Sequence, residues 1–147
     1  MKIAKLSDEF FLENNHLIEV LDKDKQGNWN GHKTRGYGVV LIKLADELTF
    51  GIPLRSHIRH SECFKTVDDK GLDYSKAVLI SNPAHVSEAF KIPAEQYVMI
   101  ADRAAFIAER FEKYVKRYML GVQKGDANIL RRYTFSTLQN YHAALKI

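Results

Sequence analysis

The segment Pro53-Leu54-Arg55-Ser56-His57-Ile58-Arg59-His60 gathers two guanidinium groups, two imidazoles and a hydroxyl between residues 55 and 60. Histidine titrates near neutral pH and can take or give a proton. Arginine offers paired donors shaped for phosphate oxygens, and preorganised donors of this kind often supply the largest catalytic term. Such a set suits cleavage of an RNA strand by its own 2′-OH. That chemistry needs a base for the hydroxyl, an acid for the leaving 5′-oxygen and cations for the phosphorane charge, and none of it requires a metal. The bland reading of the same residues is a surface turn.

Other chemistries find less support. His57, His60 and Cys63 are spaced by three, which on a helix would put three metal ligands on one face. A structural zinc normally needs four ligands at characteristic spacings, and no second pair is present, so no metal and no cofactor are expected. The chain has no glycine-rich phosphate loop, no G-x-S-x-G elbow and no CxxC pair. Positive charge does recur around the central segment. Lys33, Arg35, Lys43, Arg55, Arg59 and Lys65 stand with His32, His57 and His60, against only Asp46, Glu47 and Glu62. Further along, Lys113, Lys116 and Arg117 form a second basic group. The total is 22 Lys and Arg against 18 Asp and Glu, a net charge of +4, which permits a polyanionic partner without demanding one. A solvated basic surface is the plain alternative.

The elements that must position these residues follow from patterning. With 147 residues, 46% hydrophobic and 27% charged, the chain can bury a core and reads as one domain, 1–147. Met1 to Leu6 alternates like a short strand. Ser7-Asp8-Glu9 offers an N-cap and a first acidic turn for a helix carrying Phe10, Phe11, Ile18 and Leu21. Residues 22–31 read as a polar loop around Trp29. Gly38–Ile42 and Leu48–Ile52 predict an antiparallel hairpin that Pro53 ends, since proline cannot donate to a ladder. Ala77–Ile80 is a third strand, and Val86–Ile92 and Tyr97–Ile100 are further ones. From Ala104 to Val122 apolar residues recur at steps of three and four, with Glu109–Lys113 and Glu112–Lys116 pairs outside, and Gly121 or Gly125 ends that helix. A last helix starts near Ser136, a residue that suits an N-cap better than a catalyst. The fold class is α+β, a sheet early and helices late. One cysteine, no leader-like N-terminus and no apolar run near the ~20 residues a bilayer needs point to a reducing cytoplasm.

Four stretches together resemble the endoribonuclease toxins of bacterial type III toxin–antitoxin systems, the ToxN, AbiQ, CptN and TenpN group. They are Lys33-Thr34-Arg35-Gly36-Tyr37-Gly38-Val39-Val40-Leu41; Phe50-Gly51-Ile52-Pro53-Leu54-Arg55-Ser56; Gly71-Leu72-Asp73-Tyr74-Ser75-Lys76-Ala77; and Tyr133 to His142. They occur in family order, and the chain looks nearer the TenpN or CptN branch. The resemblance implies a compact antiparallel, barrel-like sheet flanked by helices. It implies sequence-preferring, metal-independent RNA cleavage, of mRNA above all, that leaves a 2′,3′-cyclic phosphate. It further implies neutralisation by a repeated pseudoknot RNA antitoxin in a closed protein–RNA assembly. Ser56 matches the family's serine, whereas Arg55 stands where many members have threonine. His57 and Ile58 replace proline and lysine, so Arg59 or His57 takes the catalytic lysine's place. The family's basic residue at the first strand is Lys33 or Arg35. The expected catalytic set is therefore Arg55, Ser56, His57, Lys33 and Arg35. Tyr37, Arg59, His60, Lys65, Lys113, Lys116 and Arg117 are expected to contact RNA, Tyr37 being either a stacking platform or a packing residue. Asp73 and Tyr74 are expected to serve a turn and the core, or to touch RNA. The rival expectation is a non-catalytic RNA-binding module, and a metal-dependent hydrolase built on His57 and His60 stands third.

Overall fold

In the computed structural model, residues 2–21 and 38–147 are described. Lys33, Arg35 and Tyr37 fall outside them, as does the loop expected over 22–31. The strands are β1 (Lys2–Leu6), β2 (Gly38–Lys43), β3 (Thr49–Arg55), β4 (Cys63–Lys65), β5 (Gly71–Asp73), β6 (Val78–Leu79) and β7 (Val86–Ala89). They form one antiparallel sheet in the order β4-β5-β3-β2-β1-β7, with β6 also on β3. The hairpin of β2 and β3 runs in register from Val39 opposite Pro53 to Lys43 opposite Thr49, closed by the Leu44 amide donating to the Leu48 carbonyl at 2.8 Å.

The α+β class stands, but the barrel is corrected to an open sheet. A barrel needs its edge strands to meet. Here the edges are β4, of three residues, and β7, of four, at opposite ends of the path.

Pro53 does not end the second strand, which continues to Arg55. The bond from Leu44 to Leu48 sets the phase of the ladder and turns the Pro53 nitrogen away from β2. On that side β6 pairs Phe50 and Gly51, and β5 pairs Leu54 and Arg55. Pro53 lies between the two partners, where no donor is required.

Helices cover the sheet. In α1 (Asp8–Glu13) the Ser7 side chain accepts from the Phe10 amide. The helix stops sooner than its apolar pattern suggested, because the Asn14 amide side chain donates to the Phe10 carbonyl at 2.8 Å and closes the last turn. The strand expected at Tyr97–Ile100 is instead part of α2 (Ala94–Asp102). Burial there falls on Gln96 and Ile100, one helical turn apart, while Tyr97 and Val98 are exposed. The long helix α3 (Ala104–Lys124) buries Ile107, Phe111, Tyr114, Val115 and Tyr118, and Phe111 meets Phe50 of the sheet edge to face at 5.4 Å. Gly125, at φ 61°, caps it in the left-handed conformation. Gly121 has another use. A Cβ there would lie 2.7 Å from the Ile129 side chain, so its absence lets α4 (Ala127–Leu130) fold back onto α3. Two 3-10 turns, Arg131–Tyr133 and Thr137–Asn140, lead to α5 (His142–Leu145). Ser136 caps the second turn, accepting from the Leu138 amide at 3.2 Å and from the Tyr114 hydroxyl at 2.9 Å.

Candidate functional site

Sheet register brings the charged residues together. Arg55 closes β3 opposite Gly71 of β5, so no side chain stands directly across from it. The next residue on the same face of β5 is Asp73, within diagonal reach of a long side chain. The Arg55 guanidinium takes that path, and its Nη1 donates to Asp73 Oδ2 at 2.7 Å. Asp73 is fully buried. Its other oxygen accepts from the Ser75 hydroxyl at 2.6 Å and the Ser75 amide at 3.0 Å, and His60 Nε2 lies 3.2 Å from the carboxylate. Four donors match the roughly four acceptor positions of a carboxylate. Asp73 therefore has no free lone pair for a substrate proton, and its work is to hold Arg55 and His60 in place.

The bonds around His60 also assign its tautomer. Its Nδ1 accepts from the Glu62 amide at 3.1 Å, which leaves the proton on Nε2, where it faces Asp73 and, at 3.4 Å, the Ser75 hydroxyl. Both ring nitrogens are occupied, so this cluster is not a nucleophile–base–acid relay: the hydroxyl donates to the carboxylate rather than to the imidazole. Within residues 55–60 the imidazole without a partner among the described residues is His57. Ser56 and His57 are exposed on the bend after β3, and neither side chain forms a hydrogen bond among the described residues. His57 sits at φ 57°, a left-handed turn position that costs a non-glycine residue some strain. Ile58, fully buried, anchors the bend, with its amide on the Asp69 carbonyl at 3.0 Å.

The remaining sequence candidates divide into separate groups. Arg59 and Lys65 both reach the Asp69 carboxylate, at 3.5 and 3.3 Å, beside a cavity that His60 and Cys63 also line. Residues 57–63 form bends leading into β4, not a helix, so the spacing of three does not put His57, His60 and Cys63 on one face. Among the described residues no three His, Cys, Asp or Glu converge on a metal position. Burial, and next the nearby Asp73 charge, push the Cys63 thiol above its usual pKa, which keeps it protonated and weakly reactive. Asn140 exchanges hydrogen bonds with the Ile18 backbone, 2.9 and 2.8 Å, a structural role.

The basic group on α3 is split. Lys113 and Arg117 line a cleft of about 350 Å³ together with Arg110 and Arg132. Lys116 points elsewhere, toward Glu112, whose carboxylate accepts from the Ala45 amide. Sequence reasoning missed Arg110 and Arg132 and understated Asp73. The spacing 110, 113, 117 along one helical face was legible. The arrival of Arg132 was not, because it depends on α4 folding back over Gly121. Among the described residues no helix is long and apolar enough to cross a membrane. No known protein family matches the chain, and no curated protein or solved structure is significantly similar to it.

Proposed function

We propose that the protein is a metal-independent endoribonuclease acting in the cytoplasm, the toxin of a type III toxin–antitoxin pair that an RNA holds inactive. The toxin assignment rests on the four sequence stretches given above. The observation that supports the chemistry is the Arg55–Asp73–His60 cluster, which fixes a guanidinium at the end of β3, two residues along the chain from the exposed His57. In the proposed step His57 accepts the 2′-OH proton, the 2′-oxygen bonds to phosphorus, and the bond to the 5′-oxygen breaks as that oxygen takes a proton from solvent water. Arg55 spends one nitrogen on Asp73, and its side chain remains 35% exposed, so the other guanidinium donors can meet the phosphorane oxygens. Ser56 orients the phosphate.

The test is direct. Purified protein, in excess chelator, should convert cellular RNA to fragments ending in 2′,3′-cyclic phosphate, and expression without a cognate RNA should arrest growth. RNA that stays intact while still binding the protein would leave the non-catalytic binding module as the reading. Activity lost in chelator and restored by zinc or manganese would turn attention to metal chemistry.

A further inference from the structure

The cleft between α3 and the Arg131–Tyr133 turn plays no part in that cleavage step, yet it has the chemistry of a binding site. Arg110, Lys113 and Arg117 rise from one face of α3, and Arg132 comes from the opposite wall. The floor is made by the buried Tyr74, Tyr114 and Tyr133. Two of those phenols are already satisfied inside the protein: Tyr133 donates to the Tyr114 carbonyl at 2.7 Å, and Tyr114 to Ser136. The polar groups left for a ligand are therefore mostly the cations.

Among the described residues Glu62 is the one acid on the cleft wall. Its carboxylate stands 3.9 Å from Arg132, and Lys113 pairs with Glu109 outside the cleft at 3.0 Å, exposed or partly exposed contacts that contribute little. Arg110 and Arg117 have no ion pair among the described residues. Like charges crowded over a low-dielectric floor repel one another and raise the local concentration of anions. The cleft adjoins the cavity carrying Arg59, His60 and Lys65, since Ser61 and Cys63 line both. Cations thus stand on both sides of the Ser61–Cys63 edge, Arg59 and Lys65 on one and the α3 group on the other, an arrangement suited to more than one phosphate of a strand.

We infer that this cleft is a phosphate-binding subsite for single-stranded RNA, holding a phosphate away from the one that is cleaved. The inference rests on the RNA reading above but not on catalysis, so its probe is a short 2′-O-methyl oligouridylate, which lacks the attacking hydroxyl. Anisotropy titrations across salt concentrations should show Arg110→Gln/Arg117→Gln binding at least tenfold more weakly. The salt slope should fall by about 1.4, at roughly 0.7 per contact for a single strand. Lys2→Gln/Lys124→Gln removes two charges elsewhere on the surface and should change affinity less than twofold. Wild-type binding by the Arg110/Arg117 variant, or an equal loss in both variants, would overturn the subsite. If the first variant fails to fold by circular dichroism, Lys113→Gln/Arg132→Gln makes the same test from the other cations. Uridine monophosphate that binds as tightly as the oligonucleotide and loses affinity in the cleft variants would make the ligand a free nucleotide, and would overturn the strand assignment. Failure to cleave any RNA, with the cleft result intact, would remove the nuclease reading alone.

Discussion

At the scale of single residues, two side chains that lie two positions apart in the chain are held in opposite ways. Arg55 is locked by a fully buried carboxylate, whereas His57 projects exposed from a left-handed bend with no hydrogen bond among the described residues. A fixed cation and a free imidazole suit different parts of one reaction, so their substitutions should fail differently. His57→Ala should lower single-turnover cleavage by ~10²–10⁴-fold, the usual contribution of a positioned acid or base, with RNA affinity nearly unchanged. Arg55→Ala should weaken binding as well as turnover, because a phosphate contact acts in the ground state and strengthens as charge develops. It also leaves the Asp73 carboxylate buried without its main counter-charge, so its thermal midpoint should be recorded beside its rate. A His57→Ala protein that cleaves at the wild-type rate would make His57 a bystander and leave Lys33 as the group to test for the proton role.

Among the elements, the short strand β5 decides whether the site exists, because it carries Asp73 to Arg55. Its first residue, Gly71, lies so close to β4 that a Cβ there would come within 2.0 Å of the Phe64 carbonyl oxygen, a backbone atom with little freedom to move. Gly71→Ala should therefore push β4 and β5 apart. Overpacking of this kind costs about 1–3 kcal/mol. The same displacement should carry Asp73 away from Arg55 and His60, so cleavage by the folded fraction should fall too. Urea unfolding with a rate measurement on the same sample checks both effects. Unchanged cleavage at lowered stability would mean that the register of β5 does not set the position of Arg55.

Across the whole molecule, a belt of phenols joins sheet to helices and gives the fold a pH limit. Burial raises Tyr74, Tyr133 and Tyr141 to about 12, against 10 for an ordinary phenol, and raises Tyr114 as well. The folded state keeps protons that the unfolded chain releases above pH 10. Stability is thus undiminished by these groups below pH 10 and falls as pH rises from 10 through about 12. A two-unit shift is about 2.7 kcal/mol per group as an order of magnitude, enough in combination to unfold a marginally stable domain. Urea midpoints followed from neutral to alkaline pH should stay level to pH 10 and then drop steeply. A level midpoint up to pH 12 would contradict the burial of these hydroxyls.

Features that depend on a few neighbouring residues were legible in the sequence: the Ser7 cap, the β2–β3 hairpin, the amphipathic α3, and the charge density of residues 55–60. Capping, turn closure and helical periodicity act over one to four positions, so residue order alone specifies them. Legibility failed where a distant segment set the environment. Tyr97–Ile100 has the apolar run of a strand, and its helix shows only in which side chains are buried. Pro53 stays inside β3 because β5 and β6 divide the far side of that strand. Lys116 parts from Lys113 and Arg117 because Glu112 is held at the Ala45 turn, and Arg132 joins them because Gly121 admits α4. Asp73, 18 residues from Arg55, became the anchor of the site only through sheet register. The chain determined which groups could do chemistry with phosphates. Long-range packing decided which of them meet, because a contact between distant residues follows from the relative placement of whole elements, which local sequence preferences do not specify.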